Sequence, residues 1–149
     1  MVNQLHERCV LISPSDAEEW AAYHRIRRTI LFENRGIFGV YDPNRPEEHE
    51  AGKFPKLLVF DSQLVGVVRI DLSGETAYLR RVAIDEPWQR RGLGRVLLAL
   101  AESFAQDQGA SQIESSVAPD AKEFYRKCGY SQRPFSSQRS SVHMYKNLK

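Results

Sequence analysis

The chain has 149 residues, of which 42% are apolar and 27% are charged, and its formal net charge is +2. This length predicts a single domain with its own hydrophobic core, and the composition excludes collagen-like and wholly disordered proteins. The near-zero net charge gives no reason to expect a nucleic acid or an anionic membrane as a partner. The two cysteines form no C-x-x-C pair and the four histidines show no metal-ligand spacing, so we expect reduced thiols and no metal.

Residues 1–10 lack the apolar segment that a signal peptide requires. The longest apolar run, residues 96–101, is too short to cross a bilayer. These two features predict a cytoplasmic protein.

The first third of the chain predicts a strand, a long helix and a long loop. Residues 9–12 are apolar and form the strand, and Ser15 with Glu18 has the form of a capping box. Apolar residues then recur at helical spacing and predict a helix over residues 15–33. Residues 35–55 contain three glycines and three prolines, which interrupt regular structure, and loops of this length are usually functional or mobile.

The rest of the chain predicts five strands and two helices. The predicted strands are residues 57–60, 64–72, 78–84, 113–117 and 142–145, and residues 131–141 form a loop. Short turns make the first three strands an antiparallel meander. A helix from about Arg91 or Gly92 to Gly109 then predicts a parallel strand–helix–strand crossover, and residues 119–128 a short helix. Together these elements predict an α+β fold with a mixed, mostly antiparallel central sheet flanked by helices.

The turn between the strand ending at Ile84 and the following helix carries the strongest chemical signal. Gly92 and Gly94 allow a tight turn with exposed backbone N–H groups at a helix N-terminus, where the helix dipole favours negative charge. Arg90 and Arg95, with Arg91 between them, add positive charge that can pair with phosphate oxygens. The turn therefore predicts a site for a pyrophosphate-like group, although an ordinary helix start with a solvated arginine face remains the structural alternative.

Two segments then carry a family resemblance. Gln89-Arg90-Arg91-Gly92-Leu93-Gly94 resembles the coenzyme-A-binding motif of the GNAT superfamily of N-acetyltransferases. Ala118-Pro119-Asp120-Ala121-Lys122-Glu123-Phe124-Tyr125-Arg126-Lys127-Cys128-Gly129-Tyr130 resembles that family's segment Asn-x-x-Ala-x-x-Phe-Tyr-x-x-x-Gly-Phe/Tyr. The order of elements also matches, which implies one acyl-CoA N-acyltransferase-like domain over residues 1–149.

The resemblance implies an N-acetyltransferase that uses acetyl-CoA as its acetyl donor. A primary amine of a small molecule or peptide would attack the thioester directly in a ternary complex, and Tyr125 would protonate the departing thiolate. The main chain of residues 82–84 would hold the pantetheine arm, and the turn amides from Arg90 to Arg95 the pyrophosphate. The implied cofactor-binding residues are Val82, Ala83, Ile84, Gln89, Arg90, Arg91, Gly92, Leu93, Gly94 and Arg95. Ala118 stands where the family often has an asparagine whose side chain helps to hold the coenzyme. Alanine cannot form that hydrogen bond, so the contact is absent or is made by the backbone or another residue.

The general base stays open between Glu114, Asp71 and water. The favoured interpretation of each carboxylate is a solvated or ion-paired strand residue, and the candidate partners of Asp71 are Arg69, Arg80 and Arg81. A non-catalytic acyl-CoA-binding sensor or scaffold module is the alternative function, since it needs the turn but not Tyr125.

Acceptor selection is expected from the first helix and the loop after it. The acidic loop residues are Asp42, Glu47, Glu48 and Glu50, and they either attract a cationic amine or form a solvated loop. His24, Arg27 and Arg28 lie near one face of the helix and fit a surface charge cluster. The expected partner is the amine substrate, without nucleic acid or membrane, and a homodimer is left open.

Overall fold

The computed structural model describes residues 2–134 and 141–148. Over these residues the chain forms seven strands and four α-helices. The strands are β1 (Cys9–Ile12), β2 (Lys53–Phe60), β3 (Gln63–Ser73), β4 (Thr76–Ile84), β5 (Gln112–Val117), β6 (Ser131–Gln132) and β7 (Val142–Asn147). The helices are α1 (Val2–Glu7), α2 (Ala17–Leu31), α3 (Leu93–Asp107) and α4 (Lys122–Lys127). None of the helices in this described part of the chain is both long and apolar enough to span a membrane.

All seven strands belong to one open sheet in the order β1-β2-β3-β4-β5-β7-β6. Neighbouring strands run antiparallel except β4 and β5, which are parallel and are connected through α3. The predicted fold class, the meander and the parallel crossover are therefore confirmed. In the predicted loop over residues 131–141, Ser131 and Gln132 pair with β7, and residues 135–140 lie outside the described residues.

Each face of the sheet has its own apolar cluster, because successive strand residues point to opposite faces. On one face α3 packs Leu97 and Ala101 against the β3 side chains Val68 and Ile70. The other face carries α2, and its cluster contains Tyr23, Ile26, Leu57, Val67 and Ala83. Full burial of each large apolar side chain stabilises the fold by about 1.5–3 kcal/mol, so these two layers hold the sheet between α2 and α3.

The start of α2 differs from the prediction by one residue. Asp16, rather than Ser15, is the N-cap, and its carboxylate accepts a hydrogen bond from the Glu19 N–H at 2.8 Å. The Glu19 carboxylate in turn accepts hydrogen bonds from the N–H and the hydroxyl of Ser15. The capping interaction predicted for Ser15 and Glu18 is thus formed one residue later, by Asp16 and Glu19, because aspartate is as good an N-cap as serine.

One element, helix α1, was missed, and strand β2 starts earlier than predicted. Helix α1 packs on α3 through Leu5, whose methyl group would lie 3.3 Å from a Cβ at Gly92. Strand β2 begins at Lys53 rather than Leu57 and runs through Pro55. Pro55 is tolerated because β1 pairs with β2 only from Leu57 to Phe60, so the proline lies where β2 has one neighbour.

A bulge in β4 shapes the centre of the sheet. Val67 pairs with Ala83 and Arg69 with Arg80, so that Arg81 and Val82 together face one residue of β3, and Arg81 has a φ of +60°. On the other edge of β4, pairing with β5 ends at Leu79 and Ser115. Beyond that point the two parallel strands separate and leave a gap in the sheet.

Candidate active site

A cavity of about 680 Å³ lies between the end of β4, the start of α3 and α4. Its lining includes Tyr125 and nine of the ten predicted cofactor residues, Arg91 being the exception. A smaller cavity of about 260 Å³ occupies the gap between β4 and β5, and Tyr125 and Val82 line both cavities. The fold therefore brings the glycine turn, the strand before it and the predicted catalytic tyrosine to one place.

The N-terminus of α3 opens onto the larger cavity. Gly92 is the N-cap at φ +85° and contributes no side-chain hydrogen bond to the helix. The first N–H groups of a helix have no acceptor within the helix, so those of Leu93, Gly94 and Arg95 are available to an anion. The Leu93 side chain itself is buried in the core, so only its main chain can serve such a site.

The side chains of the turn have different surroundings. Arg90 and Arg95 line the cavity. Arg91 instead lies over the Trp88 ring, 5.1 Å from its centre. The Gln89 side-chain amide donates to the Ile84 carbonyl at 2.8 Å and closes the turn. These contacts leave Arg90 and Arg95 as the two arginines of the turn that face the cavity.

The main chain of β4 presents polar groups to the gap. The Asp85 N–H donates to the Val65 carbonyl on β3, and the Ala83 carbonyl also faces β3, where it would lie 3.0 Å from a Cβ at Gly66. Because main-chain groups alternate between the two edges of a strand, the Val82 carbonyl and the Ile84 N–H point to the other edge. Ala83 therefore contributes its main chain to the sheet and its side chain to the cluster under α2.

Tyr125 is 6% exposed and packs against the rings of Phe124 and Tyr130. Burial raises the pKa of its phenol to about 12, and a hydrogen bond with the Ser115 side chain partly opposes that rise. The hydroxyl group therefore stays protonated at neutral pH and can donate a hydrogen bond into the cavities. Phe124 forms part of the cavity wall and is 38% exposed, and a Cβ at Gly94 would lie 3.1 Å from its ring.

The two carboxylates considered as general bases are both ion-paired. Arg69 donates to Asp71 at 2.8 and 2.9 Å, whereas Arg81 is not among its partners. Glu114 accepts from Arg133 at 2.7 Å and is 2.6 Å from the His143 ring nitrogen. Burial alone would raise the pKa of Glu114, but these hydrogen bonds outweigh it and hold the pKa below its usual value. Neither carboxylate lines the two cavities that contain Tyr125.

Glu48, in the loop after α2, is not a solvated residue. This corrects the interpretation of Asp42, Glu47, Glu48 and Glu50 as a uniformly exposed acidic loop. Glu48 is buried and accepts from Arg27 at 2.7 Å, Arg69 at 3.2 Å and the Tyr23 hydroxyl at 2.9 Å. Arg27 is buried as well, so it does not belong to a surface charge cluster. The sequence signal that could have indicated the burial of Arg27 was its spacing from Tyr23, because the two residues are one helical turn apart on the buried face of α2.

Among the described residues no group of three or more His, Cys, Asp or Glu side chains is arranged to hold a metal ion.

The chain is similar to known proteins in both sequence and fold. The family model "Acetyltransferase (GNAT) family" matches residues 16–130. The protein YyaT of Bacillus subtilis (strain 168) is 31% identical in an alignment of 104 residues that covers 64% of this chain and 70% of YyaT.

Two solved structures share the fold. A GNAT-family acetyltransferase from Staphylococcus aureus Mu50 superposes with a TM-score of 0.75 at 17% identity, over 95% of this chain and 99% of that chain. The PaiA N-acetyltransferase from Thermoplasma acidophilum, solved in complex with coenzyme A, gives a TM-score of 0.75 at 16% identity, over 94% and 99%. The motifs, the fold and the match over most of the chain agree, and this protein belongs to the GNAT family of acetyltransferases.

Proposed function

We propose that this protein transfers an acetyl group from acetyl-CoA to a primary amine of a small molecule or peptide, by direct attack within a ternary complex. The observation that supports this proposal best is the continuity of the site. One cavity runs from the exposed amides of the α3 N-terminus to Tyr125, and Tyr125 also lines the gap between β4 and β5.

The donor would bind along the larger cavity. The pyrophosphate of acetyl-CoA would accept hydrogen bonds from the first amides of α3 and pair with Arg90 and Arg95, because a helix N-terminus and guanidinium groups both favour anions. The pantetheine arm carries amide groups, and the Val82 carbonyl and the Ile84 N–H are the matching main-chain partners. The thioester would then lie at the gap, beside Tyr125.

In the chemical step the amine nitrogen donates its electron pair to the thioester carbonyl carbon and forms the new C–N bond. The C–S bond breaks, the sulfur leaves as a thiolate, and the new amide nitrogen releases its extra proton to water. With the pKa of Tyr125 at about 12 and a thiol pKa near ~8.5, complete proton transfer from the phenol is uphill by about 5 kcal/mol. Tyr125 therefore stabilises the developing thiolate as a hydrogen-bond donor, and the thiolate can be protonated from water after it departs.

The attacking amine must first lose a proton, because a lysine-type ammonium with a pKa near ~10.4 is mostly protonated at neutral pH. Asp71 and Glu114 are both held in ion pairs, and the hydrogen bonds of Glu114 keep its pKa below the usual value. We therefore assign the deprotonation to water rather than to a protein carboxylate.

A CoA-release assay across polyamines, aminoglycosides, amino acids and peptide N-termini tests the proposal, with acetyl-CoA binding measured separately by calorimetry. Turnover with one of these classes supports it. Binding of acetyl-CoA without turnover of any class favours the alternative, a non-catalytic sensor or scaffold. Absence of binding contradicts both functions.

A further inference from the structure

A third cavity, of about 470 Å³, lies on the face of the sheet that carries α2. It shares Leu79, Arg81 and Ser116 with the small cavity in the β4–β5 gap, and that cavity reaches Tyr125. The gap therefore lies between the cavity in which the donor would bind and this further compartment on the α2 face.

The wall of this compartment has an excess of positive charge. Its charged residues are Arg45, Lys53, Arg69, Arg80 and Arg81 against Glu47 and Asp71. Both carboxylates are already close to cations: Arg69 binds Asp71 through two hydrogen bonds, and Glu47 lies 3.7 Å from Arg45. The compartment thus offers no free carboxylate to a cationic substrate.

Arg81 is the arginine at the junction of the two cavities. Its guanidinium lies 5.1 Å from the centre of the Phe32 ring, and it forms no ion pair with the residues that the structure describes. Burial, together with the positive charges of Arg27 and Arg69, lowers the pKa of Arg81. The nearby Glu47 carboxylate opposes this shift, but it already lies 3.7 Å from both Arg45 and Arg69, so within the described part of the chain the stacked Arg81 guanidinium has no carboxylate of its own.

We propose that the acceptor amine carries an anionic group, a carboxylate or a phosphate, which Arg81 binds while the amine reaches the thioester through the β4–β5 gap. This proposal rests on the acetyl transfer proposed above. A guanidinium suits the task because its planar N–H donors match two oxygens of either anion. A polyamine or aminoglycoside would instead bring additional positive charge into a compartment that already has an excess of it.

The first experiment compares matched acceptor pairs in the CoA-release assay. One pair is an amino acid and its α-amide, and the other is an aminoalkyl phosphate and the corresponding amino alcohol. We expect kcat/KM to be about 10- to 100-fold higher for the anionic member of one pair, the range of a lost hydrogen bond to a charged group. The pair that responds distinguishes carboxylate from phosphate. Equal or better turnover of the neutral member in both pairs overturns the proposal.

The second experiment changes Arg81. Arg81→Gln is expected to raise KM for the anionic acceptor about 10- to 100-fold and to leave KM for acetyl-CoA unchanged, with partial recovery in Arg81→Lys. Arg8→Gln is the matched control, because Arg8 is exposed and paired with Asp61 outside these cavities. A rise in KM for acetyl-CoA, or an unchanged preference for the anionic member, contradicts the assigned role of Arg81.

A binding measurement separates this inference from the proposed reaction. Calorimetry of the CoA-bound protein with the N-acetylated anionic compound, and with its neutral analogue, requires no turnover. Arg81-dependent binding of the anionic compound by a protein that acetylates no amine refutes the reaction but supports the anion site. Turnover of neutral amines without binding of the anionic compound refutes the anion site alone.

Discussion

Replacing Tyr125 by phenylalanine removes the one hydroxyl that the proposed mechanism places beside the leaving sulfur. The phenol is buried and has a pKa of about 12, so it contributes a hydrogen bond to the thiolate rather than a transferred proton. A hydrogen bond to a charged group is worth about 1.5–3 kcal/mol. At about 1.36 kcal/mol per tenfold change in rate, we expect kcat to fall roughly 10- to 150-fold in Tyr125→Phe.

The pH dependence follows from the same pKa. The phenol loses its proton only near pH 12, whereas the free-base form of the amine increases with pH up to its pKa near ~10.4. We therefore expect log kcat/KM to rise from pH 6 to pH 9.5 without a descending limb. Tyr125→Phe is expected to lower this profile without changing its shape.

The assay is steady-state CoA release at saturating acetyl-CoA, with thermal unfolding and acetyl-CoA affinity measured for each variant. Tyr130→Phe is the matched control, because it removes the hydroxyl of a neighbouring buried tyrosine that bonds Glu102 at 2.8 Å and does not line these cavities. The reasoning is refuted if Tyr125→Phe retains kcat within threefold of the wild type. It is also refuted if the wild type shows a descending limb near pH 9 that is lost in Tyr125→Phe.

Three further predictions concern the coenzyme turn and the buried ion pair. Gly94→Asp should weaken acetyl-CoA binding at least tenfold in calorimetry, and more than Gly94→Ala does. Both variants add a Cβ near Phe124, but only aspartate places at the helix N-terminus a negative charge that competes with the pyrophosphate. Equal losses in the two variants would show that steric contact alone is responsible. Glu48→Gln should lower the free energy of unfolding by about 3–5 kcal/mol, because it leaves the buried Arg27 charge unpaired. The exposed control Glu50→Gln should cost less than about 1 kcal/mol, and comparable costs in denaturant titrations would contradict the assignment. Hydrogen bonds hold the pKa of Glu48 below 4.5 despite its burial, so its stabilisation is complete above pH 4.5 and is lost as the pH falls further. Acid unfolding of the wild type should therefore be steeper than that of Glu48→Gln.

The features that were predicted from sequence depend on local signals. Strand periodicity and short turns gave the meander, and the glycines after Ile84 gave the start of α3 at Leu93. The segment around Tyr125 could be placed because its pattern resembles a family segment, and the helix it forms lies against the sheet where the tyrosine reaches the cavity. In each case neighbouring residues carry the information.

The features that were missed depend on contacts between distant residues. The bulge at Arg81 is visible only in the register between β3 and β4, and arginine is not a residue whose presence predicts a positive φ. The burial of Glu48 depends on Arg27 from α2 and Arg69 from β3, which lie 21 residues before and after it in the chain. Helix α1 has only six residues, too few to be stable without packing on α3.

The bulge in β4 links the two halves of the candidate site. The extra residue interrupts the register of β4 just after its last pair with β5, Leu79 and Ser115, and this is where the strands separate and the Val82 carbonyl and the Ile84 N–H become accessible. The residue at the bulge has a left-handed backbone, which costs a non-glycine residue about 1–2 kcal/mol. Glycine would avoid that cost and would still open the gap, so donor binding alone gives no reason for a side chain at this position. Arginine at position 81 adds a positive charge to the wall of the third cavity. Under the proposed function, the same backbone irregularity would supply both the donor's main-chain partners and the acceptor's counter-ion.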